Sequence, residues 1–285
     1  RQPGSHPALS AALQARIDCF AFHGLSWCPL QAEVHVSPRQ TVQVKISDSR
    51  LCTIDTPGSF VIQPENSQAQ FYPSARDRDL GAALLCLFQK QDLITGRYTL
   101  NGQLSSQGGL ALEDWQGRMD FLAWDGRIQR FSLLGKILGF LNSTEILFGT
   151  FPDIEQEGLG YHELSFSSRV KHGRLILDQG RLNGESVEMG YQGQIDLQTR
   201  EVNLDVLEPP LKTVDRLIKK IPVVSGLMGG NLISIPVKVT GTFSDPKVRP
   251  LSPESVSTEL KNMMKKALNL PMQIIRIFDP HSKSD

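Results

Sequence analysis

The sequence lacks any surplus of charge. Lys plus Arg and Asp plus Glu each total 30, so the formal net charge is zero. A general nucleic-acid binder carries a basic excess, and that class is set aside. There is no run of 18 or more apolar residues. The nearest, Phe131 to Gly149 (FSLLGKILGFLNSTEILFG), is interrupted by Lys136, Asn142 and Glu145 and is too polar for a membrane span. The opening RQPGSHP shows neither a charged-then-apolar leader nor a cleavage pattern. We read it as a cut from a longer protein whose missing part carries any signal or anchor.

Signatures of catalysis are absent too. No GxSxG elbow occurs, and no serine has a His–Asp pattern nearby. The six histidines form no HExxH or other metal spacing. The carboxylate pairs Glu113 with Asp114 and Asp153 with Glu155 sit in turn-like contexts and read as solvated loop residues rather than a glycosidase pair. Gly226 to Gly230 is glycine-rich but has no following Lys–Ser/Thr, so it reads as a hinge and not a phosphate loop. The expectation is a chain that is not an enzyme and uses no metal or cofactor.

Cysteine is sparse, with Cys19, Cys28, Cys52 and Cys86 all in the first third. No pair has the CxxC spacing of a zinc site. The even count permits two disulfides in an oxidising compartment, or four buried thiols; spacing does not choose.

What the sequence does have is alternation. Val42, Val44 and Ile46 alternate with Gln43, Lys45 and Ser47; Leu164, Phe166, Ser168 and Val170 keep the same period. So do Val187, Met189 and Tyr191, then Ile195 and Leu197, then Val202, Leu204 and Val206, then Ile233, Ile235, Val237 and Val239. Period 2 gives each strand one apolar and one polar face. Turn chemistry separates the runs at Lys171-His172-Gly173, Gln179-Gly180, Asn183-Gly184 and Gln198-Thr199-Arg200. The reading is an antiparallel meander from about Gly158 to Val206, with Ser234 to Phe243 returning as another strand. More strands run from Cys19 to about Asp125. A strand pair with Gly between is read in TGRYTLNGQL, HGRLILDQGRLNG and VKVTGTFSDP.

Four segments read as helices. Asp79 to Gln91 is short and apolar. Arg127 to Leu141 is apolar nearly all round, as core, groove plug or anchor. Leu211 to Lys220 carries a basic face and stops at Pro222. The last starts with Ser252 as N-cap and Pro253 as first helical residue. Val256, Leu260, Met263, Ala267 and Leu270 line one of its sides, with Lys261, Lys265 and Lys266 near the other. The tail HSKSD reads as disordered. An apolar sheet face must be covered by a second sheet, by helices, or by a ligand in a curled sheet, and alternation alone does not decide.

The segment DGRIQRFSLLGKILGFLN (Asp125 to Asn142), the glycine-punctuated meander HGRLILDQGRLNGESVEMGYQGQIDLQTREVNLDV and PVKVTGTFSDPKVRPLSP (Pro236 to Pro253) follow one another in an order that resembles the C-terminal region of AsmA-like proteins, in particular the large YhdP-type members. The likeness covers about Leu93 to Leu270; the first ninety residues and their cysteines match less clearly. The resemblance implies a mainly β, elongated, curled antiparallel sheet with a few amphipathic α-helices. It implies a bacterial periplasmic protein anchored to the inner membrane by a part outside this sequence, carrying phospholipid toward the outer membrane without catalysis. A periplasmic site would permit disulfides. The organisation expected is a β-rich segment over 1–92, a β groove with inserted helices over 93–250, and an amphipathic helix and tail over 251–285. On this reading acyl chains lie on Leu175, Leu177, Val187, Met189, Tyr191, Ile195, Leu197, Val202, Leu204 and Val206. Leu260, Lys261, Met263, Met264, Lys265 and Lys266 face a membrane surface or a partner protein, or cap the open end of the sheet. The alternative is a structural scaffold or regulator of outer-membrane assembly with a filled core and no lipid.

Overall fold

The computed structural model describes residues 10–22, 24–37, 41–63, 66–89, 94–129, 135–137, 158–185, 187–208, 235–252 and 255–262. The expected helix at Leu211 to Lys220, the glycines Gly226 to Gly230, Asp153 and Glu155, Met263, Met264, Lys265 and Lys266, and the tail lie outside these residues.

The strands in chain order are β1 (Ala11–Ile17), β2 (Phe20–Phe22), β3 (Leu25–Ser37), β4 (Thr41–Leu51), β5 (Ile54–Asp55), β6 (Gly58–Ile62), β7 (Gln68–Phe71), β8 (Ser74–Asp79), β9 (Arg97–Gln107), β10 (Trp115–Ile128), β11 (Leu159–Lys171), β12 (Arg174–Gly184), β13 (Glu188–Asp196), β14 (Glu201–Glu208), β15 (Ile235–Thr242) and β16 (Pro246–Pro250). Helix α1 (Leu80–Phe88) lies between β8 and β9. Among the described residues the sixteen strands form one sheet, ordered β1-β3-β4-β5-β8-β9-β10-β11-β12-β13-β14-β15-β16, with β2 on β3 and with β6 and β7 bridging β4 to β9. All pairings are antiparallel, and the sheet runs past residue 92 without a break, through β7 and β8 on β9.

Register sorts the side chains, because residues directly opposite each other share a face. Phe121 stands opposite Phe166, Phe166 opposite Gly180, Gly180 opposite Tyr191, Tyr191 opposite Val206 and Val206 opposite Val237. Four residues along β9 from Leu100, which stands opposite Phe121, Leu104 on the same face leads through Phe71, Gly58, Ile46 and Ala32 to Ala15. The other face reads Gln14, Glu33, Lys45, Ser59, Gln70, Ser105, Gln116 and Lys171. Apolar and polar rows therefore run unbroken across the strands on opposite sides.

Strand ends meet at two lips. One lip is made of short turns. His172 and Gly173, with φ of 50° and 69°, form the two-residue turn between β11 and β12, in the left-handed conformation that suits a twisted hairpin. Asp196 Oδ1 accepts from Gln198 N and Thr199 N at the next turn, which holds its carboxyl below its ordinary pKa. The other lip carries α1, the ends of β10 and β14 at Ile128 and Glu208, and the starts of β11 and β15.

The sheet is curled. Laid flat, the five strand spacings and roughly eleven residue positions between Ile128 and Asp245 would separate them by ~43 Å. The roughly eight residues from Ile128 to Lys136 reach at most ~28 Å. Lys136 Nζ nevertheless lies 2.9 Å from Asp245 Oδ1 in the β15–β16 turn. Even with both side chains stretched, only a sheet whose lips bend toward each other allows this contact. Ile137, beside Lys136, is buried in the main core cluster.

Several local expectations are corrected. Gln179-Gly180 is no turn: it sits within β12 at a register shift between Leu177 and Gly180. Likewise TGRYTLNGQL is not two strands but lies largely in β9, with Gly102 inside it. Arg127 and Ile128 end β10 instead of starting a helix, because they complete its ladder opposite Gly160 and Leu159; of the expected helix, residues 135–137 are helical. At the C-terminus the cap is Ser257, not Ser252. Ser257 Oγ accepts from Leu260 N at 3.0 Å, while the Ser252 hydroxyl pairs with that of Ser255. Asp79 to Gln91 does hold a helix: Asp79 Oδ1 caps it by accepting from Ala82 N, and Gln89 ends it in the left-handed conformation.

The edges differ. β16 begins and ends on Pro246 and Pro250, with Lys247 and Arg249 between them. β1 holds no proline and, among the described residues, pairs only with β3.

Candidate functional site

The apolar face of the curled sheet is the feature of the molecule that its polar surface does not explain. It changes character along its length. From β8 to β15 it is closed: Ala123 and Val239 are 0 % exposed, and Tyr98, Leu182, Val202, Leu204, Val206 and Val237 are buried in one cluster with them. From β1 to β6 it opens. Ala32, Val44 and Ile46 are buried in a separate small cluster, but Leu13 is 60 % and Ile62 42 % exposed on the same face. Each apolar side chain taken wholly out of water is worth about 1.5–3 kcal/mol, so an uncovered row of them is a standing affinity for apolar matter.

The closed part is packed by rings. Tyr98, Phe121 and Phe166 stack in series, with centroids 5.8 and 4.9 Å apart. The Tyr191 ring lies over Gly180, where any Cβ would overlap it, so glycine there is a space for the ring. The hydroxyls on this face are satisfied from within, whereas Arg78 Nε, on the residue opposite Tyr98, is buried without a partner among the described residues. Tyr191 OH donates to Ser165 O at 3.0 Å and Tyr161 OH to Thr95 O at 2.6 Å. The Tyr98 and Thr53 hydroxyls are 2.7 Å apart, and Ser168 Oγ donates to Met119 O at 3.0 Å. Unpaired, each would cost about 1–3 kcal/mol. Burial pushes the phenols of Tyr98, Tyr161 and Tyr191 above their ordinary value.

Of the residues nominated from sequence, Leu175, Leu177, Met189, Tyr191, Ile195, Val202, Leu204 and Val206 stand on the apolar face, and Val187 is buried in its cluster just before β13. Leu197 does not join them: it lies in the β13–β14 turn and is 38 % exposed, because the strand ends at Asp196. All these residues belong to the closed part. The open stretch, with Leu13, Val34, Val42, Val44 and Ile62, was left out, although the alternation in TVQVKIS and QAEVHVS marks it equally well. Of the nominated helix, Leu260 is buried with Val256 and Leu207, and Ser257 Oγ donates to Gln192 Oε1 at 2.9 Å. Leu207 and Gln192 belong to the polar, outward face, so this segment packs on the outside of β13 and β14 and not across a sheet end. Lys261 is half-buried there.

The outward face carries ion pairs, among them Arg181–Glu188 at 2.9 Å and Lys238–Asp205 at 2.7 Å. A shallow depression of about 640 Å³ on the strands β3, β4, β6 and β7 is lined by Glu33, His35, Gln43, Lys45, Ser59 and Gln70. Val61 and Tyr72 line it as well, and it lies on the side of Glu33, Lys45, Ser59 and Gln70, opposite the apolar row. No helix among the described residues is long and apolar enough to cross a membrane.

The four cysteines form two disulfides, Cys19–Cys28 and Cys52–Cys86. Their pairing depends on which segments the fold brings together in space, which spacing does not encode.

The model of the family described as YhdP protein matches residues 10–248. The chain belongs to the YhdP family. This is a family of bacterial envelope proteins, and a large curled antiparallel sheet is compatible with the lipid-transport type of function associated with it. Comparison with the curated proteins and with the solved structures gave no match.

Proposed function

We propose that this YhdP-family chain holds phospholipid acyl chains on the apolar face of its curled sheet and, without catalysis, serves lipid passage between the inner and outer membranes from a periplasmic position. The observation that carries this reading is the apolar row that continues from strand to strand and, among the described residues, lies partly open from β1 to β6, where Leu13 and Ile62 are exposed. A chain of methylenes laid there gains about 0.8 kcal/mol for each one buried, with no need for a fixed polar contact. That is the physical requirement for a conduit, where binding must be ample but not specific along the path. A groove between two lips lets head groups stay in water while the chains slide. The two disulfides fit an oxidising compartment. Partners on this reading are phospholipid and a membrane surface or envelope protein.

The test is mass spectrometry of the protein purified without detergent, alongside Leu13→Asp and Ile62→Asp. Both positions are exposed, so a charge there spares the fold and strikes the open groove. The expected result is co-purified phospholipid in the parent and a several-fold lower amount in the variants, with unchanged melting temperature. A well-folded, lipid-free parent overturns the reading and favours a scaffold with a filled core.

A further inference from the structure

Helix α1 is an insertion that the sheet does not need. β8 and β9 are already paired at Asp79 and Arg97, where a short turn would join them, yet α1 rises from that point. It leans on the apolar face: Leu80 and Ala83 are buried in the main cluster with Ala75, Tyr98 and Ile128. Its grip is otherwise slight. Leu80 and Ala83 are its buried residues and Leu84 packs half-buried against the same cluster, while Leu85 and Phe88 point outward, 43 % and 59 % exposed. A nine-residue helix is too short to persist without tertiary support.

Part of the support is covalent. Cys86, near the end of α1, is bonded to Cys52, which occupies the turn between β4 and β5. This bond spans 34 residues and ties the insertion to a different part of the sheet. Cys19–Cys28 spans 9 residues and closes a hairpin already held by Phe20 opposite Trp27, so it fastens nothing that could leave. Cys86 is an exposed residue, the setting that attack by an external thiolate requires.

We propose that Cys52–Cys86 is a redox latch on α1, a cover over one lip of the groove, and that its reduction frees the helix and opens a side door for an acyl chain. The opening part of this proposal rests on the lipid reading above. The chemistry is exchange with a dithiol reductant. One thiolate attacks Cys86 Sγ, Cys52 leaves as thiolate, and the second thiol resolves the mixed disulfide. Two electrons and two protons pass to the protein, giving two thiols and the oxidised, cyclic reductant. The sheet keeps its β8–β9 ladder throughout, so the change is local.

Hydrogen exchange over residues 80–89 decides whether the bond holds the helix. It is measured in the oxidised parent, the parent treated with a dithiol, the Cys52→Ser/Cys86→Ser double variant and the Cys19→Ser/Cys28→Ser control. The expected result is exchange at least about tenfold faster in the double variant and the reduced parent, with no change in the control. The same samples are mixed with vesicles carrying a fluorescent-chain phospholipid, and uptake is expected to be several-fold faster where α1 is loosened. Unchanged exchange in both the double variant and the reduced parent overturns the latch; using the reduced parent keeps this conclusion independent of how well the double variant folds. Faster exchange with unchanged uptake, in a parent that does take up lipid, overturns the gate. If no form takes up the probe, the lipid reading falls and takes the door with it, while exchange still reports whether Cys52–Cys86 holds the helix.

Discussion

Lys136 and Asp245 are 109 residues apart in sequence, and their side chains meet at 2.9 Å. The contact joins a helical turn that follows β10 to the turn between β15 and β16, on the opposite lip. The side-chain hydrogen bond from Lys136 holds the Asp245 carboxyl below its ordinary pKa. A lowered carboxylate pKa favours the folded form above the unfolded pKa, and that contribution is lost as the pH falls through the folded value. Both side chains are largely exposed, at 50 % and 73 %, so salt weakens the pair.

The first prediction uses that proximity. Treatment of the native protein with a water-soluble carbodiimide should couple Lys136 Nζ directly to the Asp245 carboxyl as an amide, seen as a linked peptide after digestion. Failure to link would mean the two lips do not meet and the sheet is flatter than described.

A second prediction concerns Gly180. Its missing Cβ is the space the Tyr191 ring fills, so Gly180→Ala should destabilise the protein by about 1–3 kcal/mol, read from the urea midpoint. Tyr191→Ala alone should also cost stability by leaving a cavity. Combined, the two changes should cost less than their sum, because the added methyl then enters vacated space. Full additivity would mean the ring and the glycine are not coupled.

Alkaline titration supplies the third. Tyr98, Tyr161 and Tyr191 all have phenols raised by burial, so the unfolded chain loses these protons before the folded one does. Their contribution to stability is complete below the unfolded value near 10 and shrinks as the pH climbs beyond it toward the folded values. Absorbance of phenolate followed against pH should therefore show a late, cooperative step that coincides with loss of β-sheet signal. Early, independent ionisation of all the tyrosines would contradict their burial.

Much of this architecture was legible in the order of residue types. The alternation of Val42, Val44 and Ile46, or of Val202, Leu204 and Val206, requires one buried face whatever the fold, and the hairpin at His172-Gly173 follows from local turn chemistry. Glycine was the ambiguous letter. Read locally, Gln179-Gly180 signals a turn; in the structure Gly180 makes room for a ring from the neighbouring strand, a non-local cause invisible in a short window. Ser252 followed by Pro253 looks like a helix start, yet the cap falls at Ser257, where Val256 and Leu260 can both bury against Leu207. The split of the apolar face into a closed and an open stretch was not legible, because exposure depends on what the curl brings over each strand and not on the strand's own pattern.

The contrast between the two edge strands gives the sheet a direction. With prolines at both ends of β16 and cations between, that edge offers few amide hydrogens and repels a basic neighbour. β1, with its ladder groups free on one side among the described residues and Leu13 laid bare beside them, is a template. Like a polymer terminated at one end and live at the other, the described sheet offers β1 as the edge suited to take another strand. Any strand that joins there, in register, lengthens the same apolar track rather than starting a new one.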